Sequence, residues 1–172
     1  DATDDTIMQL HDAGVRAVRF NCYRGGSEAV KHLATLARRV YDLARWHIEL
    51  YISNEQLAEL KSTLLTLPQV SIDHLGLIEN HEKDLLELVA AGAKVKATRF
   101  SILTFDIAVR MRRIIEINPD ALMFGTDLPG TRAPRPFAVN DICLLQQEFS
   151  EPLRHKILYA NAYQLYHGRF MK

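Results

Sequence analysis

Ala121-Leu-Met-Phe-Gly-Thr-Asp-Leu-Pro129 is an apolar run that hands a carboxylate, Asp127, to the point where a strand gives way to a loop. A second stretch has the same construction: Val70-Ser-Ile-Asp-His-Leu-Gly76 carries an imidazole, His74, to the end of another apolar run. Two strand ends presenting one histidine and one aspartate point to one shared site. The structural alternative is that Asp127 caps the following turn and His74 is a hydrogen-bonded wall residue.

Outward from these two stretches, helical and strand periodicities alternate, the mark of repeated β-α units and so of a parallel sheet. A helix over 3–13, with Thr3 or Asp4 as N-cap and Gly14 as its stop, precedes a strand over 15–21. Gly25 and Gly26 break the chain and Ser27 offers a cap. Ala29, Leu33, Leu36, Ala37, Val40 and Leu43 then form the apolar face of a second helix. A strand over 46–52 leads to a helix capped by Asn54, running through Leu65 and ended by Pro68. After the strand bearing Asp73 and His74 come a short helix over 83–91, a strand over 93–100 and a helix over 105–117. The strand bearing Asp127 is the last. Past a Pro- and Arg-rich loop over 129–136, the pattern predicts helices over 139–147 and 152–158 and a terminal helix over 161–166. The five strands so read are too few for a closed eight-stranded barrel, yet regular enough to be most of one.

Residues 1–172 fit one domain, and 48% apolar residues supply a core without disulfide or metal staples. The 21 basic and 21 acidic residues cancel, so the overall charge draws the chain to neither nucleic acid nor an anionic membrane. Small molecules or protein partners fit better. Cys22 and Cys143 have no CxxC or Cys/His spacing, which argues against a zinc finger, a redox motif or a disulfide framework and makes a reducing cytoplasm the expected compartment. No apolar stretch approaches the roughly 20 residues that span a bilayer, and the start Asp1-Ala-Thr-Asp-Asp5 is unlike a signal peptide.

Residues two apart on a strand share a face. Arg19 pairs in this way with Asn21; His47 with Glu49 and Tyr51; Ile72 with His74; Lys96 with Thr98; and Met123 with Gly125 and Asp127. If helices pack on the outside of a barrel, the lumen holds Arg19, Asn21, His47, Glu49, Tyr51, His74, Lys96, Thr98 and Asp127. So many buried charges cost several kcal/mol each unless paired. Either Glu49 and Asp127 simply neutralise Arg19 and Lys96, or the set is a site at the strands' C-terminal ends, where parallel barrels do their chemistry. Arg19 and Arg24 could hold a carboxylate bidentately, although Arg24 also reads as solvated surface charge.

Four segments now carry a resemblance. Val15-Arg-Ala-Val-Arg-Phe-Asn21, Ile72-Asp-His-Leu-Gly76, Leu122-Met-Phe-Gly-Thr-Asp-Leu-Pro129 and Ile157-Leu-Tyr-Ala-Asn-Ala162 resemble, in order and spacing, the signatures of the amidohydrolase-related (amidohydrolase 2) family of TIM-barrel enzymes. The branch around 2-pyrone-4,6-dicarboxylate lactonase is the most similar.

The resemblance implies an α/β fold, a (β/α)8 TIM barrel of the metal-dependent hydrolase type with about five or six β-α units present. It implies a hydrolase acting on a small carboxylated or lactone substrate. In that reading Asp127 and His74 are catalytic, with Asp127 as general base for the attacking water. Arg19 holds a substrate carboxylate, and Asn21, Tyr51, Lys96 and Arg24 complete the substrate site. The cofactor would be one divalent ion, zinc or manganese, on His74 and Asp127, or none. Alternatives are a decarboxylase of the same family and a non-catalytic, oligomeric small-anion-binding protein that kept Arg19.

The sequence departs from the family pattern in three places. It has no His-x-His pair; Lys96-Ala-Thr-Arg99 replaces Lys-x-Ser-Gly; and Leu128-Pro-Gly-Thr131 follows the last Asp where an aromatic and a His are usual. The family's first β-α units are expected to be missing. The open edge would then be covered by a further N-terminal segment or by a second copy of the chain. His47 and Glu49 are candidate substitutes for the lost ligands.

Overall fold

In the computed structural model, which describes residues 2–24, 28–130 and 132–168, five short parallel strands form one sheet in chain order. They are β1 (Ala17–Asn21), β2 (His47–Tyr51), β3 (Val70–Ile72), β4 (Lys94–Ala97) and β5 (Leu122–Phe124). Because each strand's neighbour is the next in sequence, every connection crosses back through a helix: α2 (Leu33–Ala44), α3 (Asn54–Leu64), α4 (Glu82–Ala90) and α5 (Ile107–Ile117). Helix α1 (Asp4–Asp12) comes before the sheet, and α6 (Val139–Glu148), α7 (Glu151–His155) and α8 (Asn161–Tyr166) come after it. This is the repeating unit expected of the barrel fold. The Gly25-Gly26 break, the Ser27 cap, the Ala29 side chain and Thr131 lie outside the described residues.

The sheet's apolar face is the one the alternation predicted. Phe20, Ile48, Leu50, Ile52, Ile72, Val95 and Leu122 meet Leu33, Ala37, Leu57, Leu85, Met111 and Ile114 from the helices in one buried core. Each such side chain contributes about 1.5–3 kcal/mol on burial, so turning the sheet over would forfeit the core. A smaller cluster of Ile7, Val40, Ala44 and Trp46 ties α1 to α2. The register sets Arg19 beside Glu49, and Glu49 beside Ser71, on the other face.

Several boundaries differ from expectation, each for a local reason. Ser53, not Asn54, caps α3 through a reciprocal capping box with Gln56. Asn54 is instead fully buried and donates from Nδ2 to the carbonyl of Ile78 at 2.8 Å. Helix α5 starts late because the Asp106 carboxylate caps it by accepting from the Val109 amide. Strand β4 ends at Ala97, and Phe100 lies in a 3-10 turn (Phe100–Ile102). The helix expected over 152–158 continues through a π-helical turn, Lys156–Ala160, into α8. Leu43 is exposed on the surface of α2. Among the described residues, no helix is long and apolar enough to cross a membrane.

Candidate active site

His74, Arg99 and Asp127 follow the ends of β3, β4 and β5, and all three take left-handed backbone conformations, at φ 53°, 57° and 56°. This conformation costs a non-glycine residue about 1–2 kcal/mol. All three side chains line one cavity of about 310 Å³ at the C-terminal rim of the sheet, together with Arg19, Asn21, Arg24, Tyr51 and Arg132. A second cavity of about 370 Å³ shares Arg19, His74 and Asp127 and adds Glu49, Asp73, Lys96, Thr98 and Tyr166. The two strand-end residues His74 and Asp127 therefore do come to one place.

Below the rim lies a paired charge network. Arg19 donates from Nη2 to Asp73 Oδ2 at 2.5 Å and from Nε to the same oxygen at 3.1 Å, with Nε 3.2 Å from Glu49 Oε1. Lys96 Nζ is 2.5 Å from Glu49 Oε2 and 3.5 Å from Asp73 Oδ1. Burial opposes the charge on Lys96, but Asp73 and Glu49 outweigh it and raise its pKa. For Arg19 too, burial is overcome by the hydrogen bond and charge of Asp73, with Glu49 adding. Both cations stay charged inside the site. Arg19 is nevertheless half-exposed, so it can serve a ligand above the network.

His74 is buried, with Nδ1 2.6 Å from Thr98 Oγ1 and its ring edge-on to Tyr51 at 5.1 Å. Burial pushes its pKa down to about 4; Asp127 opposes this, while Arg99, Arg19 and Lys96 add to it. The imidazole is neutral at pH 7. Tyr51 also carries Arg19 and Arg24 over its ring, at 5.4 and 5.8 Å. Asn21 accepts from the Arg24 amide at 3.2 Å, holding the mouth of β1.

Of the expected lumen residues, Arg19, Glu49, His74, Lys96, Thr98 and Asp127 line the inner cavity, and Asn21 and Tyr51 line the mouth. His47 lines neither; it sits at the start of β2 with its ring 5.2 Å from Tyr166. Pairing Ile72 with His74 on one face is corrected. Ile72 is fully buried in the helix-side core, and Asp73 is the residue that faces the lumen. His74 reaches the cavity only because the backbone turns left-handed after the strand. The alternation of Ser71 and Asp73 against Val70 and Ile72 was the signal for Asp73. Arg99 and Arg132, also missed, lie on loops where no periodicity marks them.

The described residues alone do not form a divalent-ion site. Among the described residues, no group of three or more His, Cys, Asp or Glu side chains converges to hold one, whereas metal sites generally use at least three protein ligands. Glu49 and Asp73 already neutralise Arg19 and Lys96, so Glu49 does not replace a lost ligand, and His47 does not reach the cavity.

Comparison with known proteins agrees with the fold. The chain is 28% identical over 153 residues to a 2-pyrone-4,6-dicarbaxylate hydrolase of Comamonas testosteroni, a match covering 74% of this chain and 50% of that protein. It therefore spans about half the length of that curated relative. A crystal structure of a Pseudomonas putida protein, whose name carries a provisional 2-pyrone-4,6-dicarboxylic acid hydrolase assignment, shares the fold with a TM-score of 0.80 at 20% identity, over 100% of this chain and 70% of its own. An apo crystal structure from Agrobacterium tumefaciens does so with a TM-score of 0.79 at 21% identity, over 95% of this chain and 65% of its own. The Amidohydrolase family model matches residues 1–168, and the chain belongs to that family.

Proposed function

We propose that this chain carries the substrate-holding and general-base part of a hydrolase acting on a small carboxylated lactone. The observation that carries the reading is the convergence of one carboxylate, Asp127, and one neutral imidazole, His74, on a cavity walled by Arg19, Arg24, Arg99 and Arg132. Arginines contributed from the β1 end and from the loops after β4 and β5 suit a flat substrate with more than one carboxylate, each gripped by a guanidinium fork. The Comamonas testosteroni relative, named for a dicarboxylate, has a substrate of that description.

In this reading Asp127 accepts a proton from water, and the water oxygen adds to the lactone carbonyl carbon. The charge that develops on the carbonyl oxygen falls close to Arg19, Lys96 and Arg99, fixed cations in a partly enclosed site. The tetrahedral species collapses by breaking the bond to the ring oxygen, which leaves with a proton returned from Asp127. His74 orients the carbonyl through the ring nitrogen not engaged with Thr98. Among the described residues β1 and β5 are the sheet's edge strands, and further strands or a second copy of the chain would cover them.

The test is ring opening of 2-pyrone-4,6-dicarboxylate by the full gene product, followed by loss of the pyrone absorbance. Turnover supports the reading. Tight binding without turnover would turn the assignment to an anion-binding protein.

A further inference from the structure

The backbone after β3 is unusual: His74, Leu75, Gly76 and Leu77 are consecutive residues with positive φ, at 53°, 53°, 80° and 67°. Such a run persists only where its surroundings over-determine it. Two buried polar side chains from different helices do this here. Asn54, at the start of α3, donates to the Ile78 carbonyl at 2.8 Å and lies against Gly76 so closely that a Cβ there would sit 1.9 Å from Asn54 Oδ1. Arg110, on α5 and 2% exposed, spreads its guanidinium over the same loop. It donates to the carbonyls of Leu75 at 2.9 Å, Glu79 at 3.1 Å and Ile78 at 3.4 Å.

Nothing about the core requires an arginine at that place. A buried guanidinium is a costly filler, and this one needs Glu82 Oε1 at 2.7 Å from its Nε and the Phe105 ring at 4.2 Å to be tolerated. What it does that an apolar side chain cannot is satisfy carbonyls that the left-handed turn points inward. From this we infer that Arg110, which touches neither cavity, is a positioning residue for His74. It locks the turn that carries the imidazole back from the strand end onto Thr98. The inference rests on the reading of His74 as part of the site.

The experiment compares Arg110→Met, which keeps length without donors, and Arg110→Lys, which keeps charge and at most one loop contact, in the full gene product. The readouts are kcat and KM for 2-pyrone-4,6-dicarboxylate, the His74 ring signal in NMR assigned by loss in His74→Gln, and amide exchange. In Arg110→Met, kcat should fall about tenfold or more with KM within about twofold, since the arginines at the mouth are untouched. The His74 signal should move and the Leu77 and Ile78 amides should exchange faster, while Ile48 and Val95 in the sheet stay protected. Arg110→Lys should fall between the wild type and Arg110→Met. An unmoved His74 signal in the folded variant, or loop and sheet amides losing protection together, would overturn the inference. If Arg110→Met does not fold, the same readouts on Arg110→Lys decide it. If the wild type turns over no substrate, the hydrolase reading fails separately, and the His74 signal and exchange pattern still decide the clamp.

Discussion

Arg99 sets its Nε 3.6 Å from Asp127 Oδ2, close enough for an ion pair but too far for a hydrogen bond, and that buried nitrogen meets no acceptor among the described residues. The Arg99 side chain also lines the rim cavity beside the proposed base, where its guanidinium is suited to hold a ligand carboxylate. Arg99→Met should therefore weaken dicarboxylate binding by about 2 kcal/mol, in the range for a charge-assisted hydrogen bond. Isothermal titration of the folded variant against the wild type measures this. Unchanged affinity would remove Arg99 from the site.

The Asp73 carboxylate is nearly inaccessible and is shared by Arg19 and Lys96. Its removal leaves Glu49 as the ion-pair partner of both cations among the described residues. Asp73→Ala should cost about 3 kcal/mol, the scale for breaking a buried pair from one side. Urea unfolding monitored by circular dichroism reads the loss, and a cost below about 1 kcal/mol would mean the network is solvated like a surface pair.

His74 gives stability a defined pH dependence. Its pKa is about 4 when folded, below the ordinary value of 6.5, so the unfolded chain binds the extra proton first. Stability from this group is full above pH 6.5 and falls as the pH drops toward 4, by about 3 kcal/mol in all. His74→Gln should flatten that part of the stability curve, as measured by urea midpoints at successive pH values. A curve of the same slope in the variant would contradict the buried, neutral imidazole.

Gly76 and Gly14 separate steric closeness from backbone strain. Both have positive φ, 80° and 101°, but a Cβ at Gly76 would collide with Asn54 Oδ1, whereas one at Gly14 meets nothing within 4 Å. Gly14→Ala should cost about 1 kcal/mol from its backbone alone. Gly76→Ala should cost clearly more, because Asn54 must leave its buried bond to Ile78. Equal losses in thermal melts would show that the Asn54 contact yields easily.

What the sequence made legible follows from period and order. The apolar alternation of Phe20, Ile48 and Leu50 fixed which sheet face meets the helices, and the same rule placed Arg19, Glu49 and Lys96 opposite. It fails at His74, though not at Asp73, because a period of two holds only while the strand continues, and β3 stops at Ile72. Left-handed turns at His74, Arg99 and Asp127 have no pattern of their own in ordinary residues. Arg99 and Arg110 act through contacts distant in sequence, which one chain read alone does not reveal. Ser53 was passed over as a cap because Ser53 and Asn54 are both good caps and adjacent; only the reach of Gln56 back to Ser53 distinguishes them.

In the proposed mechanism Asp127 is the base that activates water over an arginine-walled cavity. The most direct measurement is steady-state hydrolysis of 2-pyrone-4,6-dicarboxylate by the full gene product, with Asp127→Asn beside it and dicarboxylate affinity measured for both. The expected outcome is turnover in the wild type and a loss of about a thousandfold or more in kcat for Asp127→Asn, with affinity retained or tightened because Arg99 no longer faces the Asp127 charge. Hydrolysis persisting in Asp127→Asn at a rate close to wild type would contradict it.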